Sequence, residues 1–551
     1  MGGGVCRPRE ATARAARGWM GAAARSGAAR PPLPVAMPVR GLLRSARARL
    51  RSAREVRARR RTAAVFTNCS IERKERCECG SLAPPGDHVS IVRATDADGN
   101  EVRKSTNAAP RRAPLARALR ALLRAATLGL LGRDEPASDD IVDLWGPHLY
   151  GSRKFLGGAV DISERYLYGV PAHARFIIKV DTRTGECTRL HDGALPRGDF
   201  KWLRGVRAAN GCIYCIPACA SQVLKIDPSD DSYTLFGGDV IPKGTWKWHG
   251  GSLAKSDGNI YCIPANARRV LRIEPATDTV SLHGPDLTDY PGAKNKWYGG
   301  IKGKDGSIWG IPYNATRALK IVPQSAPGAD DVQVTTVGPE FPRGGWKWHG
   351  GTADRATGAI WGVSSHYNGV MKITPETETI EVLGTDVVGD GKYKFGGAVA
   401  DSEGHVWCLP SDCTYALKIS PARAEGEKDK FERVGNLSDW GNKWQGGVLV
   451  PGAGDEGGDA VYAIPCDATQ VLKIHCATNR LELMGKLPSA HKKFQGAYGA
   501  NDGTIWGLPE SARHVLRIRP AAMSAAPHVP AGHTDDKGLN VSEDGKLLSG
   551  K

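Results

Sequence analysis

The sequence Trp-Lys-Trp-His-Gly-Gly occurs twice in this chain and contains its most chemically versatile side chains. The two copies place His249 and His349 at equivalent positions, each three residues after a tryptophan, Trp246 or Trp346. A histidine can transfer protons near neutral pH or bind a metal, and an indole can stack on the ring of a ligand. These four residues are therefore candidates for a ligand site.

Further candidates occupy related positions in other parts of the chain. Tyr298 and Gln445 take the place of the two histidines after other Lys-Trp pairs, and short polar residues follow several Ile-Pro segments at a fixed distance. The second group gives three more candidate ligand contacts: Asn266, Asn314 and His366. Short polar side chains at such places also satisfy the backbone groups of turns, and the sequence favours that role for them.

A Lys-aromatic pair of this kind recurs eight times, and it divides the chain into repeats of 46 to 51 residues. A glycine pair, an Asp-Gly turn, an Ile-Tyr or Ile-Trp segment ending at proline and a Val-Leu-Lys-Ile segment typically follow, which gives four short strands. Four strands per 40 to 50 residues are typical of a propeller blade. The sequence therefore predicts an all-β fold, an eight-bladed propeller of four-stranded blades over residues 139–520. The pairs begin at Lys154, Lys201, Lys247, Lys296, Lys347, Lys394, Lys443 and Lys493.

Residues 141–146 read Ile-Val-Asp-Leu-Trp-Gly and resemble the fourth strand that precedes each later Lys-aromatic pair. The last repeat ends at Pro520 without such a strand. We therefore predict that the N-terminal strand completes the last blade and closes the ring, which removes its free edges.

Three sets of residues share repeat positions. An aromatic residue in the second strand of every repeat is expected to fill the space between blades. The eight anchor lysines, the first residues of the Lys-aromatic pairs, form either an electropositive ring for an anion or a structural row paired locally, and the second interpretation is favoured. A second basic row on the third strands is expected to be a solvated face: Lys179, Lys225, Arg272, Lys320, Lys372, Lys418, Lys473 and Arg517.

The repeat pattern Asp-Gly-x-Ile-Tyr-x-Ile-Pro-x-x-Ala-x-x-Val-Leu-Lys-Ile-x-Pro, seen at residues 257–275 and 305–323, resembles the blades of the virginiamycin B lyase, NHL and SMP-30-like propeller superfamily. The resemblance covers residues 139–520 and concerns architecture. Its lyase branch would imply a metal-assisted site of histidines and acids on one face. Lyase blades tend to have a glutamate soon after the second-strand aromatic, where most repeats here have Ile-Pro or Leu-Pro.

The net charge of +17 lies in the N-terminal part of the chain. Residues 1–65 carry 16 arginines and 2 glutamates, and residues beyond 135 are close to neutral. We predict a disordered arm over 1–66, an irregular segment over 67–138 with a basic amphipathic helix at 112–131, and a flexible tail over 521–551. The arm is typical of an organelle transit peptide, and an Ala/Arg bias in codon composition explains it equally well.

Cysteine usage and hydropathy limit the compartments in which the protein is expected and the partners it is expected to bind. Cys215, Cys262 and Cys408 share one repeat position with Gly and Ala, so reduced thiols packed as small apolar groups are expected, in a reducing cytoplasmic or organellar compartment. Cys69, Cys77 and Cys79 make an incomplete zinc site.

The sequence has no run of eighteen apolar residues, so it predicts no membrane span. The neutral repeats argue against nucleic acid, and we expect a monomer.

Two functions remain open at this point. The first is a binding or scaffold propeller that presents its loop-rich face to a protein, a glycan or a small anion, with no cofactor and no metal. The second is a metal-dependent lyase or hydrolase that uses His249, His349 and loop carboxylates such as Asp239 or Asp286 with a divalent ion. No linear nucleophile motif is visible, but propeller enzymes assemble their sites from single residues on several blades, so both functions stay open and binding is the favoured one.

Overall fold

The computed structural model describes residues 139–291 and 294–521, together with the backbone of two short strands further on. The described chain forms eight four-stranded antiparallel sheets, and contacts between the first strands of successive sheets continue round to the start. This confirms the predicted eight-bladed propeller. The predictions for residues 1–66, for 67–138 and for the helix at 112–131 lie outside the described residues, as does most of the tail over 521–551.

Strands are numbered in chain order, and each blade has a first, second, third and outermost strand. The first strands, which contact those of the neighbouring blades, are β2 (Phe155–Val160), β6 (Trp202–Arg207), β10 (Trp248–Leu253), β14 (Trp297–Lys302), β18 (Trp348–Ala353), β22 (Phe395–Ala400), β26 (Trp444–Val450) and β30 (Phe494–Gly499). The second strands are β3 (Tyr166–Pro171), β7 (Ile213–Pro217), β11 (Ile260–Pro264), β15 (Ile308–Pro312), β19 (Ile360–Ser364), β23 (Val406–Pro410), β27 (Ala460–Pro465) and β31 (Ile505–Pro509).

The outer half of each blade supplies the other two strands. The third strands are β4 (Ile177–Asp181), β8 (Val223–Asp227), β12 (Val270–Glu274), β16 (Ala318–Val322), β20 (Val370–Thr374), β24 (Ala416–Ser420), β28 (Val471–His475) and β32 (Val515–Arg519). The outermost strands are β5 (Cys187–Leu190), β9 (Ser232–Phe236), β13 (Thr279–His283), β17 (Gln333–Val337), β21 (Thr379–Leu383), β25 (Lys430–Val434), β29 (Arg480–Met484) and, from the N-terminal side, β1 (Ile141–Trp145). The remaining elements are a helix, α1 (Thr385–Val388), a 3-10 turn (Asp455–Gly457) and the strands β33 (Thr534–Asp535) and β34 (Leu539–Asn540).

The hydrophobic core lies between successive blades. Tyr168 of the first blade packs in one cluster with Trp202 of the second, and Tyr214 of the second packs with Trp248 of the third. All eight second-strand aromatics are at most 1% exposed. Burying such a side chain contributes about 2–3 kcal/mol, so each blade depends on its neighbours for stability.

The anchor lysines are structural. Lys201 Nζ donates to the carbonyls of Ala172 and Ala174, both at 2.9 Å, in the turn of the preceding blade. Lys247 Nζ repeats this arrangement with the carbonyls of Ala218 and Ala220. Burial lowers the pKa of both amines to about 8. Their N–H groups therefore link one blade to the next, which agrees with the favoured interpretation of a structural row.

The second basic row differs from the predicted solvated face. Lys179 pairs with Asp231 of the next blade at 2.7 Å, and Lys225 pairs in the same way with Asp278 at 2.7 Å. The two lysine side chains are only 17% and 19% exposed. Five of the eight third-strand bases pair with an acid that precedes the outermost strand of the next blade, so these side chains serve the interface between blades.

The ring closes through β1. This strand pairs antiparallel with β32 of the last blade, from Ile141 opposite Arg519 to Trp145 opposite Val515. Asp140, just before β1, accepts hydrogen bonds from Tyr462 Oη and Lys473 Nζ, both at 2.8 Å. The start of the described chain is therefore fixed to the last two blades.

Two further sequence expectations concern the cysteines and a membrane span. Cys215, Cys262 and Cys408 are buried and unbridged, and burial raises the pKa of each thiol. Within the described part of the chain, no helix is long and apolar enough to cross a membrane.

Candidate ligand site at the propeller mouth

One face of the propeller gathers the candidate residues. In each blade the start of the first strand pairs with the end of the second, as Trp248 does with Pro264. The residues just before an anchor lysine and those just after the second strand therefore lie together around the axis. We call this face the mouth.

The residue before each anchor lysine has a left-handed backbone conformation, with φ between 47° and 55°. Asparagine adopts this conformation readily, but a bulky aromatic residue does so at a cost of about 1–2 kcal/mol. Four blades nevertheless have an aromatic residue there, and the eight residues are Arg153, Phe200, Trp246, Asn295, Trp346, Tyr393, Asn442 and Lys492.

The short polar residues of the neighbouring turns support this conformation. Asn266 Oδ1 accepts the backbone N–H of Asn295 at 2.6 Å, and its Nδ2 donates to the Thr245 carbonyl at 3.0 Å. Asn314 does the same for the N–H of Trp346 and the carbonyl of Lys294. Both amides are thus used to shape the mouth, and any contact they make with a ligand would be additional to this role.

Eight rings form a continuous row across the third to sixth blades, which we call the mouth array. His249 stacks on Tyr298 with ring centroids 3.8 Å apart, and Tyr298 stacks on Tyr313 at 4.5 Å. The row continues through Tyr313–Trp346 at 5.8 Å, Trp346–His366 at 5.6 Å and His366–Tyr393 at 4.4 Å. Trp246 stacks on His249 at 6.5 Å, and His349 lies 4.8 Å from Tyr298.

The mouth array has a buried row and a partly exposed row. Trp246, His249, Tyr298 and Tyr313 are 7–8% exposed. Trp346, His349, His366 and Tyr393 are intermediate in exposure. The buried rings therefore support the four that a ligand could reach.

Two polar atoms of the mouth array, Trp246 Nε1 and His366 Nε2, are buried without a hydrogen-bond partner among the described residues, as is Trp506 Nε1 outside the array. By contrast, five anchor tryptophans donate Nε1 to a backbone carbonyl at 2.7–3.0 Å. A buried indole N–H normally has a partner, so a polar group of a ligand would complete this site.

The opposite side of the mouth, on the last and first blades, is charged. Glu510 is buried, and burial raises the pKa of its carboxyl to about 7 although the charges of Lys492 and Arg153 oppose this shift. Arg153 also lies over the ring of Phe200, 5.3 Å from its centroid. The mouth is therefore asymmetric, with the stacked rings on one side and Glu510, Arg153 and Lys492 on the other.

The axis itself contains a narrow cavity beside the mouth array. Its walls are glycines of the first strands β2, β6, β10, β14 and β18, with Val206, Ile301 and Tyr498. Arg204 also lines this cavity and is 9% exposed. Burial raises the pKa of the Tyr298 hydroxyl, and the nearby charge of Arg204 opposes that shift. The guanidinium therefore lies close enough to Tyr298 to oppose the rise in its pKa.

The metal alternative has no ligand set among the described residues. The rings of His249 and His349 lie 6.1 Å apart, but no group of three or more His, Cys, Asp or Glu side chains in the described ranges could hold a metal ion. Asp239 and Asp286 are exposed, and Asp286 accepts hydrogen bonds from Thr288. Neither acid completes a site with the histidines.

The structure brings together six of the nine sequence candidates: His249, His349, Trp246, Trp346, Tyr298 and His366. Gln445 lies on the seventh blade, where its amide donates to Asn442 Oδ1 at 2.7 Å. Sequence reasoning missed Tyr313, Tyr393, Glu510 and Arg204. Aligning the eight repeats reveals each of them. Tyr313 and Glu510 stand where the other six blades have a small residue, and Arg204 stands where the other seven have glycine. Tyr393 repeats the aromatic residue that three other blades have before the anchor lysine.

No protein-family model matches this sequence, and no curated protein matches it. Among solved structures, a streptogramin B lyase is 13% identical over 69% of this chain and 97% of its own, with a TM-score of 0.42. The virginiamycin B lyase of Staphylococcus aureus is 14% identical over 69% of this chain and 99% of its own, with a TM-score of 0.42. Hydrazine synthase of Kuenenia stuttgartiensis is 12% identical over 68% of this chain and 97% of its own, with a TM-score of 0.38. The resemblance concerns propeller architecture alone.

Proposed function

We propose that this protein is a binding propeller that holds a small ring-containing ligand at its mouth. The ring of the ligand stacks on Trp346, His349, His366 and Tyr393, and a polar group of the ligand meets the buried nitrogens behind them. Aromatic faces of this kind bind planar rings and the apolar faces of sugars.

The left-handed aromatic residues carry this proposal. The fold does not need them, since Asn295 and Asn442 occupy the same position in two blades with nearly the same φ. Trp246 and Trp346 adopt that conformation at a cost in free energy and support neighbouring rings. Strain of this kind is often associated with binding sites.

A neutral ring probe tests the proposal. N-phenyl-1-naphthylamine is titrated against the full chain, and binding is followed by the increase in probe fluorescence. Trp346→Asn, which introduces the residue of two other blades, should weaken binding about tenfold, about 1.4 kcal/mol. Its melting temperature should stay close to that of the wild type, because relief of backbone strain offsets the lost packing.

The control is Trp145→Phe, because Trp145 is 36% exposed on the outermost strand β1, away from the first strands. This variant should bind the probe like the wild type. Equal probe affinity in Trp346→Asn and wild type, or no binding by the wild type, would overturn the proposed function.

A further inference from the structure

One residue of the axial wall breaks the repeat. Three residues after the anchor lysine, seven blades have a glycine, and the second blade has Arg204. All eight residues have positive φ, including 71° at Arg204, 88° at Gly250 and 73° at Gly350. The backbone at this position therefore has a positive φ in every blade whatever the side chain.

The position favours glycine for two physical reasons. The register between the first and second strands shifts at this position in each blade, as it does between Trp202 and Gly205. Such a shift is a β-bulge, and a β-bulge often includes one residue with a left-handed backbone conformation. The axis is also crowded, because a Cβ added at Gly250 would lie against the backbone of Gly299. An arginine in this conformation costs about 1–2 kcal/mol relative to glycine, and the bulge does not require it.

The arginine brings a positive charge into the axial cavity. Among the residues that line this cavity, Arg204 is the charged one, and the others are glycines, Val206, Ile301 and Tyr498. A guanidinium has five N–H donors in a planar fork, so it can hold a carboxylate, sulfate or phosphate in addition to the contacts it makes within the protein.

The cavity adjoins the mouth array along the chain itself. His349, one of the four rings that a ligand could reach, immediately precedes Gly350, and Gly350 lines the cavity. A ligand whose ring lies on the mouth array could therefore direct a substituent toward the axis.

We propose that the axial cavity is an anion subsite, in which Arg204 binds an acidic group of the ring-containing ligand. This inference rests on the proposed function and narrows its ligand class to ring compounds that carry a carboxylate, sulfate or phosphate. Arg204 is the specificity-determining residue, and the mouth array supplies the ring contacts.

Two probes with the same ring system separate the contribution of the ring contacts to affinity from that of the acidic group. 8-Anilino-1-naphthalenesulfonate carries a sulfonate that N-phenyl-1-naphthylamine lacks. The wild type should bind the sulfonate about tenfold more tightly than the neutral probe. Arg204→Gly should remove this preference and leave affinity for the neutral probe within about twofold, since charge-assisted hydrogen bonds are lost and ring contacts are kept.

The variant is expected to fold, because seven blades already have glycine at this position, and its melting temperature should equal or exceed that of the wild type. Arg204→Lys keeps the positive charge but lacks the planar fork of N–H donors, so it should retain part of the preference for the sulfonate probe. A preference for the sulfonate that persists in Arg204→Gly, or that is absent from a wild type that binds the neutral probe, would overturn the anion subsite. Failure of the wild type to bind the neutral probe would instead contradict the proposed function.

Discussion

At the scale of single residues, the mouth is distinguished by side chains that the fold does not require. Trp346 and Arg204 both occupy left-handed positions where other blades have asparagine or glycine. Glu510 follows its second strand at a position where three blades have alanine and two have serine. Departures from the repeat therefore identify the site better than the repeat itself.

Glu510 gives a prediction about pH. Because burial raises its pKa to about 7, the folded state keeps a proton that the unfolded chain releases near its ordinary pKa. The stability this group contributes is fully present below the unfolded pKa and is lost as pH rises through 7. Glu510→Gln should therefore raise the free energy of unfolding by about 1–3 kcal/mol at pH 8 and change it little at pH 4.

Urea unfolding at the two pH values measures this difference. Glu403, whose side chain is 80% exposed, provides the control, since Glu403→Gln should change stability little at either pH. A stabilisation by Glu510→Gln of equal size at pH 4 and pH 8 would contradict a raised pKa.

At the scale of elements, the periodicity predicts much of what the structure has. The eight Lys-aromatic pairs mark the first strands, and the second-strand aromatics lie between blades as expected. The solvated face predicted for the third strands is wrong, because five of its eight bases pair with an acid of the next blade. The repeat pattern predicts which residues pair within one blade, but it does not predict which residues of two neighbouring blades lie opposite each other. The ion pair between Lys179 and Asp231 could therefore not be predicted from the sequence.

The N-terminal strand gives a prediction about closure. Asp140 has a side chain 3% exposed and pairs with Lys473, itself 7% exposed. Asp140→Ala should lower the free energy of unfolding by about 3–5 kcal/mol, since it leaves a buried ammonium group without this partner. Denaturant unfolding measures the change.

Asp143 is the matched control. Its carboxylate is 32% exposed and pairs with Arg517 and with the half-exposed Arg519. Asp143→Ala should lower the free energy of unfolding by about 1 kcal/mol or less, as is usual for exposed ion pairs. Equal losses in the two variants would argue that Asp140 has no special part in closing the ring.

At the scale of the whole molecule, the ring converts sequence positions far apart into neighbours. His249 and His349 are separated by 100 residues, yet they share a partner in Tyr298 because equivalent positions of successive blades surround one axis. The sequence could predict this proximity for His249 and His349. It could not predict the stacking order, because Tyr313 and His366 enter the row from turns whose side-chain directions depend on the left-handed residues beside them.

Locating a bound probe tests most directly whether a ligand binds on the mouth array. The chain has 14 tryptophans, which can be replaced by 5-fluorotryptophan and observed by fluorine NMR, with Trp→Phe variants to assign the signals. Addition of N-phenyl-1-naphthylamine should shift the signals of Trp246 and Trp346 and leave those of the buried anchors Trp248 and Trp348 unchanged. Shifts confined to Trp145 or Trp440, which are exposed outside the array, would contradict a ligand site at the mouth.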